Sequence, residues 1–300
     1  MTIGIADAAA KTGSAEKSDR SGFVEANGAR IWVERRGHGP DVLLIAGLSD
    51  SVEAWSFQLE GLSDRYRLTA FDNRGAGRTG VPQGPLSVEA IAEDAAAIIR
   101  KTDLERVHVA GFSAGSLVAQ ELALRHPELV RSLVLVSTWG QLDRYARSMT
   151  AFWRWMVSSA PSEREVLEAF YLWIYTPRAH ADGTVKRFID DVLAFPYPQP
   201  VEAFVEQLDR FVAYDSLDRL HRIGAPTLVL AGEVDICSRP ALGRQVAEAI
   251  PDARFEVVAQ QAHQPFQEIP EWFNDRVDAF WREVEDSEST AGRKASAATG

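Results

Sequence analysis

Cysteine is almost missing: the 300-residue chain carries only Cys237, which excludes an internal disulfide and any cysteine-cluster metal site. That usage fits a reducing compartment, and the cytoplasm is the expected location. Positive charge is short as well. Lys and Arg total 32 against 43 Asp and Glu, a formal net charge of -11, which is the wrong sign for a protein that binds by neutralising phosphates. Nucleic acid is therefore not an expected partner. No run reaches the roughly 18 apolar residues needed to span a bilayer, and the opening MTIGIADAAAKTGSAEKSDRSG lacks the basic start and apolar stretch of a secretory signal, so no membrane partner is expected either. Residues 1–22 and 286–300 are small and polar and read as disordered tails. What is present is an ordinary globular composition, 46% hydrophobic and 25% charged, long enough for a large core with a sub-domain.

Between the tails, short apolar runs alternate with helical patterns, the rhythm of strands joined by crossover helices in a mainly parallel sheet. The opening differs: FVEAN and RIWVERR flank Asn27-Gly28, which predicts a tight antiparallel hairpin. DVLLIAG, YRLTAFD, RVHVAGFS and LVRSLVLVS then read as buried strands, with helices near 54–62, 88–100 and 114–125 between them. The rhythm breaks from Gly140 to Arg222, where the pattern is helical and half of the chain's aromatic residues fall. Core packing and ligand lining both account for that enrichment, and Trp153, Trp155, Tyr171 and Trp173 are the candidates for lining. The sheet resumes with APTLVLAG, a helix at 240–249, ARFEVVA and a last amphipathic helix at 270–284. The expected domains are a core of 23–139 and 223–285 with a helical cap of 140–222.

The run Val107–Phe112 leads directly into Gly-Phe-Ser-Ala-Gly at 111–115 and then into a helical pattern. A serine on a sharp strand-to-helix turn needs strained backbone angles and neighbours without bulk two residues before and after it, which accounts for Gly111 and Gly115. Ser113 is then exposed above the sheet edge, and the Ala114 N–H at the helix start points at a developing negative charge. The competing reading is a glycine-rich turn with a chance serine.

A neutral hydroxyl needs a base, and the base an orienting carboxylate. Five of the six histidines sit in a glycine-rich loop, a strand, a helix end or the insertion; His263, in the polar loop AQQAHQPF after the last strand, can hang over the strand ends. The candidate acid is Asp235, in AGEVDICSRP after the preceding strand, with Glu233 a near rival and Asp143, after the sixth strand, a more distant one.

With Ser, Asp and His in that chain order, the sequence resembles the α/β-hydrolase superfamily from about Phe23 to Glu285, with a helical cap inserted after strand six. The resemblance implies an α/β fold with a mostly parallel eight-stranded sheet and helices on both faces. FDNRGAGRTG matches the family's loop after the fourth strand at Asp72, Arg74, Gly75 and Gly77, where it shapes the turn. The third-strand loop usually reads His-Gly-x, the residue after Gly giving the second oxyanion-hole N–H; here it reads Ala46-Gly47-Leu48, so Leu48 takes that role and the histidine is missing. Ala262 replaces the glycine that commonly precedes the family's histidine. The implied reaction is acyl transfer to Ser113 and hydrolysis of a small to medium apolar or aromatic ester, thioester or lactone. That chemistry needs no metal and no organic cofactor; its only required partner is a small-molecule substrate. Carbon-carbon bond hydrolysis, a lyase or cyclase role, and simple ligand binding, some in natural-product biosynthesis, are the alternatives within the same fold.

Overall fold

Asn27 and Gly28 both take positive φ, 46° and 73°, and turn β1 (Arg20–Ala26) back against β2 (Ala29–Gly37) as an antiparallel hairpin. The computed structural model describes residues 19–298, with side chains to Thr290. Residues 1–18 of the expected tail lie outside that range, while Arg20–Gly22 already pair with β2, so the strand begins earlier than the apolar pattern suggests. Backbone pairing at a sheet edge does not need apolar side chains.

The remaining strands are β3 (Asp41–Ile45), β4 (Arg67–Phe71), β5 (Val107–Phe112), β6 (Val130–Val136), β7 (Thr227–Gly232) and β8 (Arg254–Val258). They form one eight-stranded sheet in the order β1-β2-β4-β3-β5-β6-β7-β8, antiparallel only where β2 meets its two neighbours. The helices are α1 (Ser56–Gly61), α2 (Val88–Lys101), α3 (Ala114–Arg125), α4 (Arg144–Ser159), α5 (Glu163–Ile174), α6 (Pro177–Ala181), α7 (Thr184–Ala194), α8 (Val201–Ala213), α9 (Pro240–Ala249), α10 (Pro265–Glu268) and α11 (Pro270–Ala298).

The central strands read as unbroken apolar runs because both faces are covered. Leu43, Ile45, Val109, Leu133, Leu135 and Val229 face a core shared with α2, α3 and α9. Their neighbours Val42, Leu44, Ala110, Val134, Val136 and Leu228 face a second core with Trp55, Phe273 and Trp281 from the α1 and α11 side. The insert between β6 and β7 is helical, α4 to α8, with a small core of its own around Trp153, Ile174, Ile189 and Phe204.

The last helix departs from expectation by running to Ala298 instead of giving way to a tail at 286. Propagation adds one hydrogen bond per residue fixed, so a helix already nucleated by its buried first half can run on without the apolar pattern. Arg106 also pairs with Glu288. Residues 299–300 lie outside the described range. Among the described residues, no helix is long and apolar enough to cross a membrane.

Candidate active site

Ser113 lies between β5 and α3 with φ 51° and ψ -127°, a backbone state that non-glycine residues rarely hold. The two flanking glycines make the turn possible. A Cβ on Gly111 would lie 2.4 Å from the Gly115 carbonyl oxygen, and one on Gly115 would lie 2.3 Å and 2.4 Å from the carbonyl oxygens of Ile45 and Ala46. The elbow is therefore pressed against the end of β3, and the missing bulk at 111 and 115 is a steric requirement.

The sequence brings Ser113, His263 and Asp235 into one hydrogen-bonded row. His263 Nε2 lies 2.8 Å from Ser113 Oγ, and its Nδ1 lies 2.8 Å from Asp235 Oδ2. Asp235 follows β7, where its other oxygen, Oδ1, accepts from the N–H groups of Cys237 and Ser238 at 2.8 and 2.9 Å. His263 is buried and held at both ends of its backbone, the N–H donating to Ile174 O at 3.0 Å and the carbonyl accepting from Ser137 Oγ at 2.7 Å. The first of these bonds ties the histidine to the cap. Such a row can move a proton from hydroxyl to imidazole while a carboxylate steadies the ring.

The rival acids are occupied elsewhere. Glu233 is bonded through its carboxylate to the Gln260 N–H at 2.8 Å. Asp143 caps α4, accepting from Ala146 N–H at 2.9 Å, and pairs with Arg239 near the surface; the Ala146 N–H and that guanidinium hold its carboxyl below the usual range.

Leu48 and Ala114 line the same small chamber as Ser113 and His263. Ala114 opens α3, so its N–H has no helical acceptor. The loop that carries Leu48 is held without the missing histidine. Asn73 Nδ2 donates to Ala46 O at 2.9 Å, and the buried Asp72 accepts from the Val52 and Arg78 N–H groups at 2.8 and 2.7 Å. Burial raises the Asp72 carboxyl to about 6 against the pull of those two N–H groups. Behind them Arg74 makes a buried two-pronged pair with Asp94, at 2.6 and 2.5 Å, and the carbonyls of Arg74 and Gly75 accept from Gln207 and Gln199 of the insert. The fourth-strand loop thus shapes the turn and also fastens the cap. Asn73 is the support that motif reading overlooks, because only contact with Ala46 reveals it.

Of the four aromatic candidates, Trp153 lines the chamber at Ser113 and Tyr171 lines a larger cavity beside it. Trp155 and Trp173 line neither, which corrects the expectation for both. Residues two apart on a helix point about 200° apart, so one of each pair must turn away. Trp155 is 60% exposed, and Trp173 stacks on Trp153 at 5.9 Å between ring centres.

Asp50 is the site residue the sequence reading missed. It lines both the chamber and the larger cavity, and its carboxylate has no hydrogen-bond partner among the described residues. Desolvation between the two cavities pushes it from 3.8 to about 7, with His263 pulling the other way. Asp235, Cys237 and His263 also bring three ligand atoms within 4.8 Å of one another, the spacing of a metal site. Those atoms are already engaged: His263 bonds Ser113 and Asp235, and the Cys237 thiol, pushed well up by burial and Asp235, faces Trp173 O at 3.3 Å.

Residues 40–268 match the family described as alpha/beta hydrolase fold. The chain belongs to that family. This alpha/beta hydrolase is 30% identical over 263 residues to RutD of Azorhizobium caulinodans, named as a candidate carbamate hydrolase, covering 88% of this chain and 99% of that protein. It is 32% identical over 260 residues to BpoC of Mycobacterium tuberculosis, named as a candidate non-heme bromoperoxidase, covering 83% and 96%. The crystal structure of BpoC superposes with a TM-score of 0.76 over 85% of this chain and 96% of that one, at 29% identity. An enol-lactonase from Burkholderia xenovorans, at 23% identity and a TM-score of 0.78 over 87% and 99%, shares the fold.

Proposed function

We propose that this alpha/beta hydrolase is a serine hydrolase that cleaves esters, or the chemically related carbamates and lactones, through an acyl-enzyme on Ser113. The observation that carries the reading is the Ser113–His263–Asp235 row, with both links at 2.8 Å and the serine held in a strained backbone state. Ser113 Oγ attacks the carbonyl carbon as His263 Nε2 takes its proton. The oxyanion that forms is met by the Leu48 and Ala114 N–H groups. His263 returns the proton to the leaving oxygen or nitrogen, the C–O or C–N bond breaks, and the acyl group stays on Ser113. Water then repeats the sequence, with His263 as base, and releases the acid.

Cavity shape supports a small acyl group. The chamber at Ser113 has a volume of about 60 Å³ and is walled by Trp139, Met149, Trp153 and Leu208. It is far smaller than the cavity beside it, which suits a short acyl or carbamoyl group. The leaving group would occupy the neighbouring cavity of about 860 Å³ between the core and α5, α7 and α8. The names of RutD and of the enol-lactonase fit this class of bond.

Labelling with a fluorophosphonate and mapping the modified peptide tests the reading. Modification at Ser113, lost in Ser113→Ala together with turnover of short-chain activated esters, is the expected result. An unlabelled serine, or a Ser113→Ala variant that keeps its activity, would overturn it in favour of a lyase or binding role.

A further inference from the structure

The two cavities share only two wall residues, Asp50 and Phe170. These two side chains stand where the cavities meet, a neck between them. Asp50 comes from the loop after β3, the same loop that carries Leu48, and its carboxylate packs against Gly47, where an added Cβ would sit 3.0 Å from Oδ2. That carboxylate accepts no hydrogen bond among the described residues and is only partly buried, so it stays open to a ligand from the cavity.

The outer cavity has the same preference. Phe57, Tyr171, Tyr175 and Phe204 supply aromatic walls, whose faces attract cations, while the rings of Phe188 and Phe195 already face Arg187 and Arg78. Glu53, Glu163 and Asp191 stand around it against one arginine, Arg187. Glu53 is engaged by Arg78, so Asp50 is the carboxylate nearest the chemistry that is free to bind.

We propose that the outer cavity takes an organic cation, an ammonium carried on the leaving group, with Asp50 as its counter-charge at the neck. This inference rests on the serine-hydrolase reading for the direction in which the substrate lies, acyl group inward and ammonium outward. It makes Asp50 a specificity-determining residue whose effect falls on substrate choice. Neutral leaving groups of the same shape would still enter, without the charge pairing. Anionic ones would be turned away at the neck.

Binding of choline and of its uncharged carbon isostere, 3,3-dimethylbutan-1-ol, measured by calorimetry at pH 8, tests this without requiring turnover. The wild-type protein and Ser113→Ala should both bind choline about tenfold more tightly than the isostere, a preference of the size a partly desolvated cation gains from aromatic faces and one carboxylate. Asp50→Asn should lose most of that preference, keeping only the part the aromatic faces supply, with its affinity for the isostere unchanged, and Asp50→Ser should do the same if the asparagine variant does not fold. Equal binding of the two alcohols by the wild-type protein, or an undiminished preference in the Asp50 variants, would overturn the proposal. Turnover by Ser113→Ala would instead overturn the nucleophile and leave the binding preference standing, so the two readings fail separately.

Discussion

Replacing Asp235 with asparagine keeps the shape of the side chain and changes one proton position, and the surroundings decide which way the amide turns. Oδ1 accepts from two N–H groups, those of Cys237 and Ser238, at 2.8 and 2.9 Å. An amide NH2 cannot stand there, because it would face two donors. The substituted amide must therefore leave its oxygen on that side and point its NH2 at His263 Nδ1, which lies 2.8 Å from Asp235 Oδ2 in the wild-type protein. The imidazole then accepts at Nδ1 and carries its proton on Nε2, the atom 2.8 Å from Ser113 Oγ. A protonated Nε2 cannot take the serine proton. By the serine-protease precedent this tautomer costs about 10⁴ in turnover, or about 5 kcal/mol at roughly 1.4 kcal/mol per decade. The assay is the rate at saturating short-chain ester for Asp235→Asn and Asp143→Asn, with melting temperatures alongside. Asp143→Asn should lose less than about twofold, since asparagine is itself a good helix N-cap and an exposed ion pair is worth about 1 kcal/mol or less. A rate for Asp235→Asn within tenfold of wild type, with the fold intact, would refute the tautomer argument.

Gly115→Ala should drive a Cβ to within 2.4 Å of two backbone oxygens, destabilise by about 1 to 3 kcal/mol and lower turnover by about 10² or more as the oxyanion loop shifts; a melting curve and a rate comparison check this, and a neutral variant would count against the close packing. Trp153→Ala should cost about 3 to 5 kcal/mol and also widen acyl-chain preference, while Trp155→Ala should stay within about 0.5 kcal/mol and leave selectivity alone, as denaturant unfolding and an ester panel would report. Asp50 carries a pH signature. Its carboxyl is raised to about 7 when folded, so between about pH 4 and 7 the native protein holds a proton that the unfolded chain has lost, and stability falls as pH rises through that window. The loss is at most about 4 kcal/mol at neutral pH and above, and Asp50→Asn should remove it; parallel stability–pH curves for the two proteins would refute the assignment.

How much of this was legible in the chain depends on whether a feature is local. The elbow was legible because its requirements are written in five consecutive residues. The strands on either side of it were legible because burial on both faces leaves an unbroken apolar run. His263 and Asp235 could be chosen by their positions after the last two strands, since a parallel sheet puts all such loops at one edge. The cap aromatics were only half legible: helical spacing says that Trp153 and Trp155 face apart, but not which one faces the site. Asn73 and Asp50 were not legible at all, because each acts through a contact with a residue distant in the chain or through the absence of one. The end of α11 was misread for the opposite reason, as a helix nucleated by its buried half propagates there without the apolar pattern that marks a packed helix.

Two desolvated carboxylates flank the loop that bears Leu48, and the contrast between them separates a structural role from a functional one. Asp72 and Asp50 are both raised by desolvation, to about 6 and about 7. Asp72 recovers part of that cost from two backbone N–H groups that lock the turn, so its burial is accounted for by the fold it maintains. Asp50 accepts no hydrogen bond among the described residues and is only partly buried, open to the two cavities. That open carboxylate between the two cavities is where the proposed cation pairs. A cation on the leaving group supplies that pairing only while the substrate is bound. Product release then returns the carboxylate to its unpaired state, so a charged product should leave more slowly than its neutral isostere in the wild-type protein and at the same rate in Asp50→Asn. Stopped-flow displacement of choline and 3,3-dimethylbutan-1-ol from Ser113→Ala, with and without the Asp50 change, measures that difference, and identical release of the two alcohols in the presence of Asp50 would contradict it.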